Sequence, residues 1–377
     1  MLLLRSIRKK LQSNGFDLCD PLHTAWYNHL ISKEGLVESG LLKILPEPSS
    51  SVLDDKSNGD TTSPSYNAVL VGNTKAIWPS FIDWLAMKVG EKKRLQQDYI
   101  KSSSSSISRD DDGSDYIKSS HEMAIEDVIH LNPFDTYCEE SLSRSLQELL
   151  HHGEDASKSI TSYDLFWSNG KRQKVTISNN NGHHQLNNVS PNEVYHCYNN
   201  KQDSFLVSMQ RIASVTGQYW HDEANTKLCV HPLYGTWTAF RALVVFETTE
   251  NLVNSDERST TPSVPTPPPP PCPCPVLEEE MEEAKKIFDY LSCSDNNNIG
   301  SYGTQSNKSW AQLCTFLHNQ VCQGSDWDEV PESMKPWIEL RNVISTGRDD
   351  WKYDEAQLLY HYTKDPNILR KELSRIV

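Results

Sequence analysis

LCVHPLYGTWTAFRALVVFE, residues Leu228–Glu247, is the stretch on which the reading of the whole chain turns. Leu228, Cys229 and Val230 read as the end of one strand. HPLYGTW is a turn or short loop, with Pro232 and Gly235 as its breakers. Thr238–Phe246 then reads as a strand, with an unbroken apolar run from Ala242 to Phe246. Arg241 sits inside that strand between Phe240 and Ala242. A guanidinium cannot shed its proton and, if drawn inward, calls for a carboxylate or phosphate. Two readings stand: Arg241 at the wet end of a strand, or a fixed cation on a pocket wall shared with Cys229, Trp237 and Phe240.

Working outward from that strand, residues 2–14 fit a helix with Leu3, Ile7 and Leu11 on one face, stopped by Gly15. Pro21–Ile31 reads as a second helix, Tyr66–Gly72 as a strand, and Pro79–Val89 as a helix with Phe81, Ile82 and Leu85 inward. NPFDTYC (Asn132–Cys138) turns into a helix that ends near His152, and Ser159–Trp167 is a strand. Phe205–Val215 has helical spacing, with Leu206, Met209 and Ile212 on one face. Glu278–Leu291 is a helix whose acidic first turn suits the positive end of its dipole. The chain from Trp310 onward is helical and aromatic. A few strands joined as hairpins, with more helix around them, predict an α+β domain.

Polar segments interrupt this pattern. Inserts are expected at about 49–65, 91–120, 168–203 and 295–309, each dominated by Ser, Asp, Asn, Gly or Gln. A proline-rich run ending at Pro275 reads as a linker. The organisation predicted is a core over 1–250, a linker over 251–275 and a C-terminal helical cap over 276–377.

Composition narrows the function. With 37% hydrophobic residues in 377, much of the length is not core. A net charge of −15 and the lack of a basic stripe argue against nucleic acid or an acidic membrane as partner. No apolar run approaches the roughly 18 residues of a membrane span. The nine cysteines are an odd number without a regular framework, which favours reduced thiols and a cytoplasmic location. The basic, acid-free start MLLLRSIRKKLQSNGF also fits a transit peptide, but an amphipathic first helix is preferred.

Several suggestive patterns are better read blandly. Cys272-Pro273-Cys274 lacks the second pair that a zinc site needs and falls in the proline run. His151-His152 and His183-His184 lack a carboxylate at ligand spacing and read as solvated, so no metal site is expected. There is no G-x-G-x-x-G, P-loop or G-x-S-x-G, which removes support for a Rossmann site, kinase chemistry and acyl transfer.

The residues HPLYGTWTAFR resemble the CblC family of cobalamin-processing proteins, which decyanate cyanocobalamin and dealkylate alkylcobalamins. Four further stretches resemble it in the same order: GFDLCDPLHTAWYNHL (Gly15–Leu30), YNAVLVGNTKAIWPSFIDWL (Tyr66–Leu85), LVSMQRIASVTGQYW (Leu206–Trp220) and YDEAQLLYHYTKDPNILRKEL (Tyr353–Leu373). Together they cover under half of the chain. The resemblance implies a flavin-nitroreductase-like antiparallel sheet with flanking helices and a helical cap. It implies cobalamin as substrate or cargo, glutathione as co-substrate, and FAD or FMN with NADPH as electron source. A CblD-like trafficking protein would be the partner, and the protein would be a monomer or weak homodimer.

By the same resemblance, cobalamin contacts fall on Val207, Ser208, Met209, Gln210, Tyr219, Trp220, His221, Cys229 and Phe240. Glutathione-binding arginines fall on Arg241, on Arg341 in LRNVI, and on Arg370 once a two-residue gap is admitted. Glutathione carries two carboxylates, which guanidinium forks hold in bidentate fashion. Positive charge also favours the thiolate, the nucleophilic form. No protein side chain is expected to act as the catalyst, since cobalt and the thiolate carry the chemistry. The chain contains no D-x-H, so histidine ligation of cobalt in a D-x-H-x-x-G pattern is not expected and the vitamin would bind base-off. Ser214 stands where a member of that family has a histidine shortly before V-x-G, so a role of that histidine in shaping the base-off cofactor does not carry over. Two other readings stay open: a cobalamin chaperone without turnover, and a flavin oxidoreductase of the nitroreductase type.

Overall fold

A computed structural model describes residues 2–37, 42–46, 65–103, 124–129, 132–152, 160–177, 207–248, 268–293, 330 and 332–376. Its centre is a five-stranded, wholly antiparallel sheet in the order β1-β2-β7-β3-β4. These strands are β1 (Leu18–His23), β2 (Ser65–Asn73), β3 (Ile160–Trp167), β4 (Arg172–Thr176) and β7 (Ala239–Thr248). Two short strands, β5 (Trp220–His221) and β6 (Cys229–Val230), form a separate ribbon. The α+β class expected from the sequence is the one found.

The strand predicted from Ala242–Phe246 lies in the middle of the sheet, and all five of those residues are buried. Side chains alternate across a strand, so each face of the sheet collects its own core. One face carries Val69, Val71, Leu165, Ala242, Val244 and Phe246. It is covered by α1 (Leu2–Gln12), α3 (Ile77–Ser103), the short helix α4 over residues 124–129, and α5 (Pro133–His152). The other face carries Ala68, Leu70, Phe166, Leu243 and Val245, against α2 (Thr24–Lys33) and α6 (Met209–Val215). Ile7 and Leu11 are buried as the amphipathic first helix requires, and Gly15 follows it with φ +76°.

The C-terminal part contains α7 (Glu278–Cys293), α8 (Lys335–Ile344), α9 (Glu355–Thr363) and α10 (Pro366–Leu373). Leu359, Tyr360, Ile368, Leu369 and Leu373 join the first core, while Leu340, Ile344 and Ala284 form a third cluster with Val230 and Val276.

Three expectations are corrected. Pro21 begins no helix: it lies in β1, at the sheet edge, where a residue without an N–H is tolerated. The insert placed at 91–120 is helical through Ser103, because α3 continues past Val89 with lysines and glutamines that favour helix. The insert placed at 168–203 opens with the hairpin strand β4, turned by Gly170 at φ +83°. That strand is the other sheet edge, and its exposed Arg172, Gln173 and Lys174 hid it from an apolar pattern. The end of the proline run is packed: Cys272 is buried, and Arg348 Nη2 donates to the Pro275 carbonyl at 2.9 Å. His183-His184, the side chains of Leu3, His151 and His152, Leu206 and Trp310, residues 251–267 and the inserts at 49–64, 104–120, 178–203 and 295–309 lie outside the described residues.

Candidate functional site

The register of the central strand breaks at one residue. Val71 of β2 faces Ala242 and Gly72 faces Phe240, so Arg241 has no partner on β2. Such a bulge adds one residue to one strand and re-aims side chains. In a regular strand Arg241 would lie on the face of Leu243 and Val245. Here its guanidinium packs over Phe134, 4.7 Å from the ring centre, on the face that buries Ala242 and Val244. Phe240 falls on the opposite face, packed against the cluster of Leu243 and Val245. Gly72 permits this geometry, since a Cβ there would meet the Ala239 carbonyl oxygen at 2.8 Å. The single wall expected to hold Arg241, Cys229, Trp237 and Phe240 is therefore divided between two faces.

On the Arg241 side, Nε donates to Asn73 Oδ1 at 2.6 Å, and Asn73 is fully buried. The amide is locked, because its Nδ2 donates to the Thr74 carbonyl at 2.7 Å. Thr74 is in turn held by Asp17, which accepts from its N–H at 2.8 Å and its hydroxyl at 2.5 Å. Among the described residues no carboxylate pairs with Arg241 or Arg341.

Arg341 reaches this region from α8. The turn that the sequence predicted at Gly235 docks on the end of that helix: Thr236 N–H donates to Ser345 Oγ at 2.9 Å. A side chain at Gly235, whose φ is +61°, would collide with Ser345. Arg341 Nη2 then donates to the Thr236 carbonyl at 2.5 Å, and its guanidinium stacks 4.3 Å from Trp237 and 5.2 Å from Tyr353. Lys352 lies 5.8 Å over Trp237, and Lys364 lies 5.9 Å over Phe134 and 5.2 Å over Tyr360.

His361 stands edge-on to Tyr353 and Tyr362, with ring centres 5.7 and 5.0 Å away. Its pKa is held well below the ordinary imidazole value, by burial first and then by Lys364, Arg341 and Arg241. Arg241, Arg341, Lys352 and Lys364 thus each lie over an aromatic ring, a grouping of positive charge suited to a small ligand bearing more than one carboxylate. Cys138 below it has its pKa raised to about 12, chiefly by burial, so it remains a neutral thiol.

Arg370 is elsewhere. It makes a two-toothed ion pair with Glu126, from Nη2 at 2.7 and 2.9 Å, with Nε adding 3.0 Å. That guanidinium fork is already filled by a carboxylate of the chain.

The opposite side assembles most of the residues aligned with cobalamin contacts. Val207, Met209, Tyr219 and Cys229 are buried in one cluster with Phe240 packed on it. Ser208 caps α6, accepting from Arg211 N–H at 3.4 Å, and its own N–H donates to the Tyr27 hydroxyl at 3.1 Å. Gln210 is exposed, while its carbonyl accepts from the Cys229 thiol at 3.4 Å. Tyr219 donates to Asp20 Oδ2 at 3.1 Å and sits edge-on to Phe240 and His231, each 5.1 Å away. His221 pairs with Cys229 across the ribbon, and burial takes its pKa down to about 4. Trp220 leaves this group and packs on the third cluster. Burial pushes the Cys229 thiol well up, so it is not a thiolate.

Asn73, Lys352, Lys364 and His361 were not singled out from the sequence. Asn73, His361 and Lys364 lie inside the stretches Tyr66–Leu85 and Tyr353–Leu373, but no local pattern there shows what their side chains meet. Among the described residues no group of His, Cys, Asp and Glu is placed to hold a metal ion, and no helix is long and apolar enough to cross a membrane.

The chain is similar to a solved B12-trafficking protein. That crystal structure is of a C. elegans B12-trafficking protein CblC, a human MMACHC homologue. The match covers 100% of this chain and 97% of that chain, at 14% identity and a TM-score of 0.48. At that identity and superposition it assigns no residue. No family model and no curated protein sequence matches the chain.

Proposed function

We propose that this protein processes cobalamin, holding the vitamin base-off on the Phe240 side of the β7 bulge and delivering glutathione from the Arg241 side. The reading is supported by the five collinear stretches that resemble the CblC family. The observation that carries it is the bulge, which sets a cation stacked on an aromatic ring and a largely apolar cluster on neighbouring residues of one strand. A corrin is wide, apolar and fringed with amides, and asks for apolar and aromatic surface with scattered polar contacts. Val207, Met209, Tyr219 and Phe240 supply the first, and Ser208 and Gln210 the second.

For an alkylcobalamin, the thiolate attacks the cobalt-bound carbon. A carbon–sulfur bond forms, the cobalt–carbon bond breaks, and its electron pair stays on the metal as cob(I)alamin. Arg241 and Arg341 would hold the carboxylates, orient the sulfur and favour its ionised form. For cyanocobalamin, the electrons that release cyanide would come from a flavin, FAD or FMN, kept reduced by NADPH. No residue of this chain is assigned to it. The free thiols Cys19, Cys138, Cys229, Cys272 and Cys274 suit a reducing compartment, and we place the protein in the cytoplasm with a CblD-like acceptor.

Mixing the protein with cyanocobalamin tests the binding half: the expected result is the absorbance shift of the base-off form. Methylcobalamin with glutathione under anaerobic conditions tests the chemistry. Arg241→Ala is expected to lower thiol-dependent dealkylation about 100-fold, as loss of a charged anchor implies, while the vitamin still binds. Unchanged thiol kinetics in that variant would refute the anchor.

One observation favours a carrier without turnover. Ser214, standing where the family has histidine, spends its hydroxyl on the Arg211 carbonyl of its own helix at 2.9 Å. A carrier would bind the vitamin and leave the corrin spectrum unchanged after glutathione is added. A nitroreductase-type enzyme would instead keep a flavin through purification and bind no vitamin.

A further inference from the structure

We propose, independently of the cobalamin reading, that residues 268–275 are a docking surface for a partner protein, a preformed polyproline ridge that fits an aromatic-lined groove with a basic rim. The segment reads PPPPCPCP and belongs to no helix or strand. Proline holds φ at about −65° and pushes the residue before it into extended backbone. Such a run winds as a left-handed polyproline helix with about three residues per turn. Its burial has that period. Cys272 is buried and Pro269 and Pro275 are half-buried, while Pro268, Pro270, Pro271, Pro273 and Cys274 are exposed.

A helix of that period is a prism with three edges, and one edge is spent on the chain itself. At its start, a Cβ on Gly217 would meet Pro269 Cβ and Cγ at 3.0 Å, so the proline ring lies directly on that glycine. At its end, Arg348 Nη2 donates to the Pro275 carbonyl at 2.9 Å, and the next residue, Val276, enters the third apolar cluster. The other two edges face outward, Pro268 with Pro271 and Pro270 with Pro273. Each is a P-x-x-P pair, the pattern that aromatic-lined grooves take up. Because the docked edge already fixes the conformation, little entropy is left to lose on binding.

The flank selects the groove. Leu277, 67% exposed, and the exposed Glu278 and Glu279 at the start of α7 follow the prolines at once. No lysine or arginine lies between Pro268 and Ala284. An acidic flank is matched by lysine or arginine on the rim of the groove and repelled by carboxylates there.

The test is calorimetric titration of the whole protein with two purified probes: an EVH1 domain chosen for a lysine- and arginine-rimmed groove, and an SH3 domain chosen for an acidic rim. The first should bind one to one, and the second at least about tenfold more weakly. Pro270→Ala with Pro273→Ala, both on an outward edge, should weaken the first probe about tenfold, as loss of interface anchors implies, with circular dichroism at the titration temperature unchanged. Glu278→Gln with Glu279→Gln touches no proline; it should weaken the same probe about threefold and flatten its salt dependence. Absence of binding by both probes, or wild-type affinity in the double proline variant, overturns the docking surface. Tighter binding of the acidic-rimmed probe, or wild-type affinity in the double glutamine variant, overturns the basic rim assigned to the partner.

Discussion

Phe240 and Arg241 are chain neighbours on β7, yet they serve surfaces of opposite character. Phe240 joins a close-packed apolar cluster whose polar members are neutral: Tyr219 stays protonated and Cys229 stays a thiol. Arg241 lies over the Phe134 ring, where its charge is kept by stacking and by a neutral amide and not by an acid of the chain. The difference teaches how a sheet can separate two unlike surfaces by a single inserted residue. Regular alternation would put Arg241 against Leu243 and Val245, where a buried charge without a partner is very costly.

The sharpest way to break the comparison is to remove what permits the bulge. Gly72→Ala sets a methyl group against the Ala239 carbonyl. We expect a loss of about 2 kcal/mol in stability, as for an overpacked site, and weaker binding of both vitamin and thiol. Denaturant unfolding and the two titrations check it, and a stable variant with both activities would deny that the bulge matters.

Asn73→Ala acts on one side only. It leaves Arg241 Nε without its acceptor and frees the side chain to swing. A fall of about tenfold in kcat/KM for glutathione is expected, the worth of one charge-assisted hydrogen bond, with base-off binding retained. Loss of vitamin binding instead would mean that the two surfaces are coupled.

His231 offers a test by pH. Burial and Arg348 lower its pKa to about 4. The unfolded chain therefore takes up a proton first, and stability is lost as pH falls from about 6.5 towards 4. His221 adds to the same slope. His231 Nδ1 accepts from the N–H groups of Leu233 at 3.1 Å and Tyr234 at 3.3 Å, a turn that asparagine reproduces. His231→Asn should thus keep the fold and flatten the acid slope of the melting temperature by up to one proton. An unaltered slope would show the imidazole to be solvated in the folded state.

The smallest effect belongs to Asp20, whose pKa burial raises despite the Tyr219 hydroxyl and Arg8. A raised carboxyl favours the protonated form in the folded state, so its contribution falls as pH rises above the ordinary 3.8. Asp20→Asn, still able to accept from Tyr219, should gain under about 1 kcal/mol at pH 7. That gain should fade on acidification, as read by thermal melts across the pH range.

Much of this was legible in the residues. The run Ala242–Phe246, the breaker Gly235, and the helix that Gly15 stops all appear where their patterns placed them. Those patterns are local: periodicity of burial, and glycine where φ is positive. What failed was also physical. Edge strand β4 buries only Val175, so it has no apolar signature, and β1 carries a proline that imitates a helix start. The site was half readable. Arg241 and Arg341 could be named from resemblance, whereas Asn73 lies in a resembling stretch whose local pattern does not tell that its amide meets Arg241.

The sequence by itself determined the α+β class, the central strand and the segments from which a site could be built, because burial patterns are written residue by residue. Only the tertiary structure decided the faces. A one-residue bulge sets Arg241 opposite Phe240, the turn at Gly235 docks Arg341 beside Trp237, and Glu126 occupies Arg370. Each of those outcomes depends on contacts between distant parts of the chain, which no local spacing encodes.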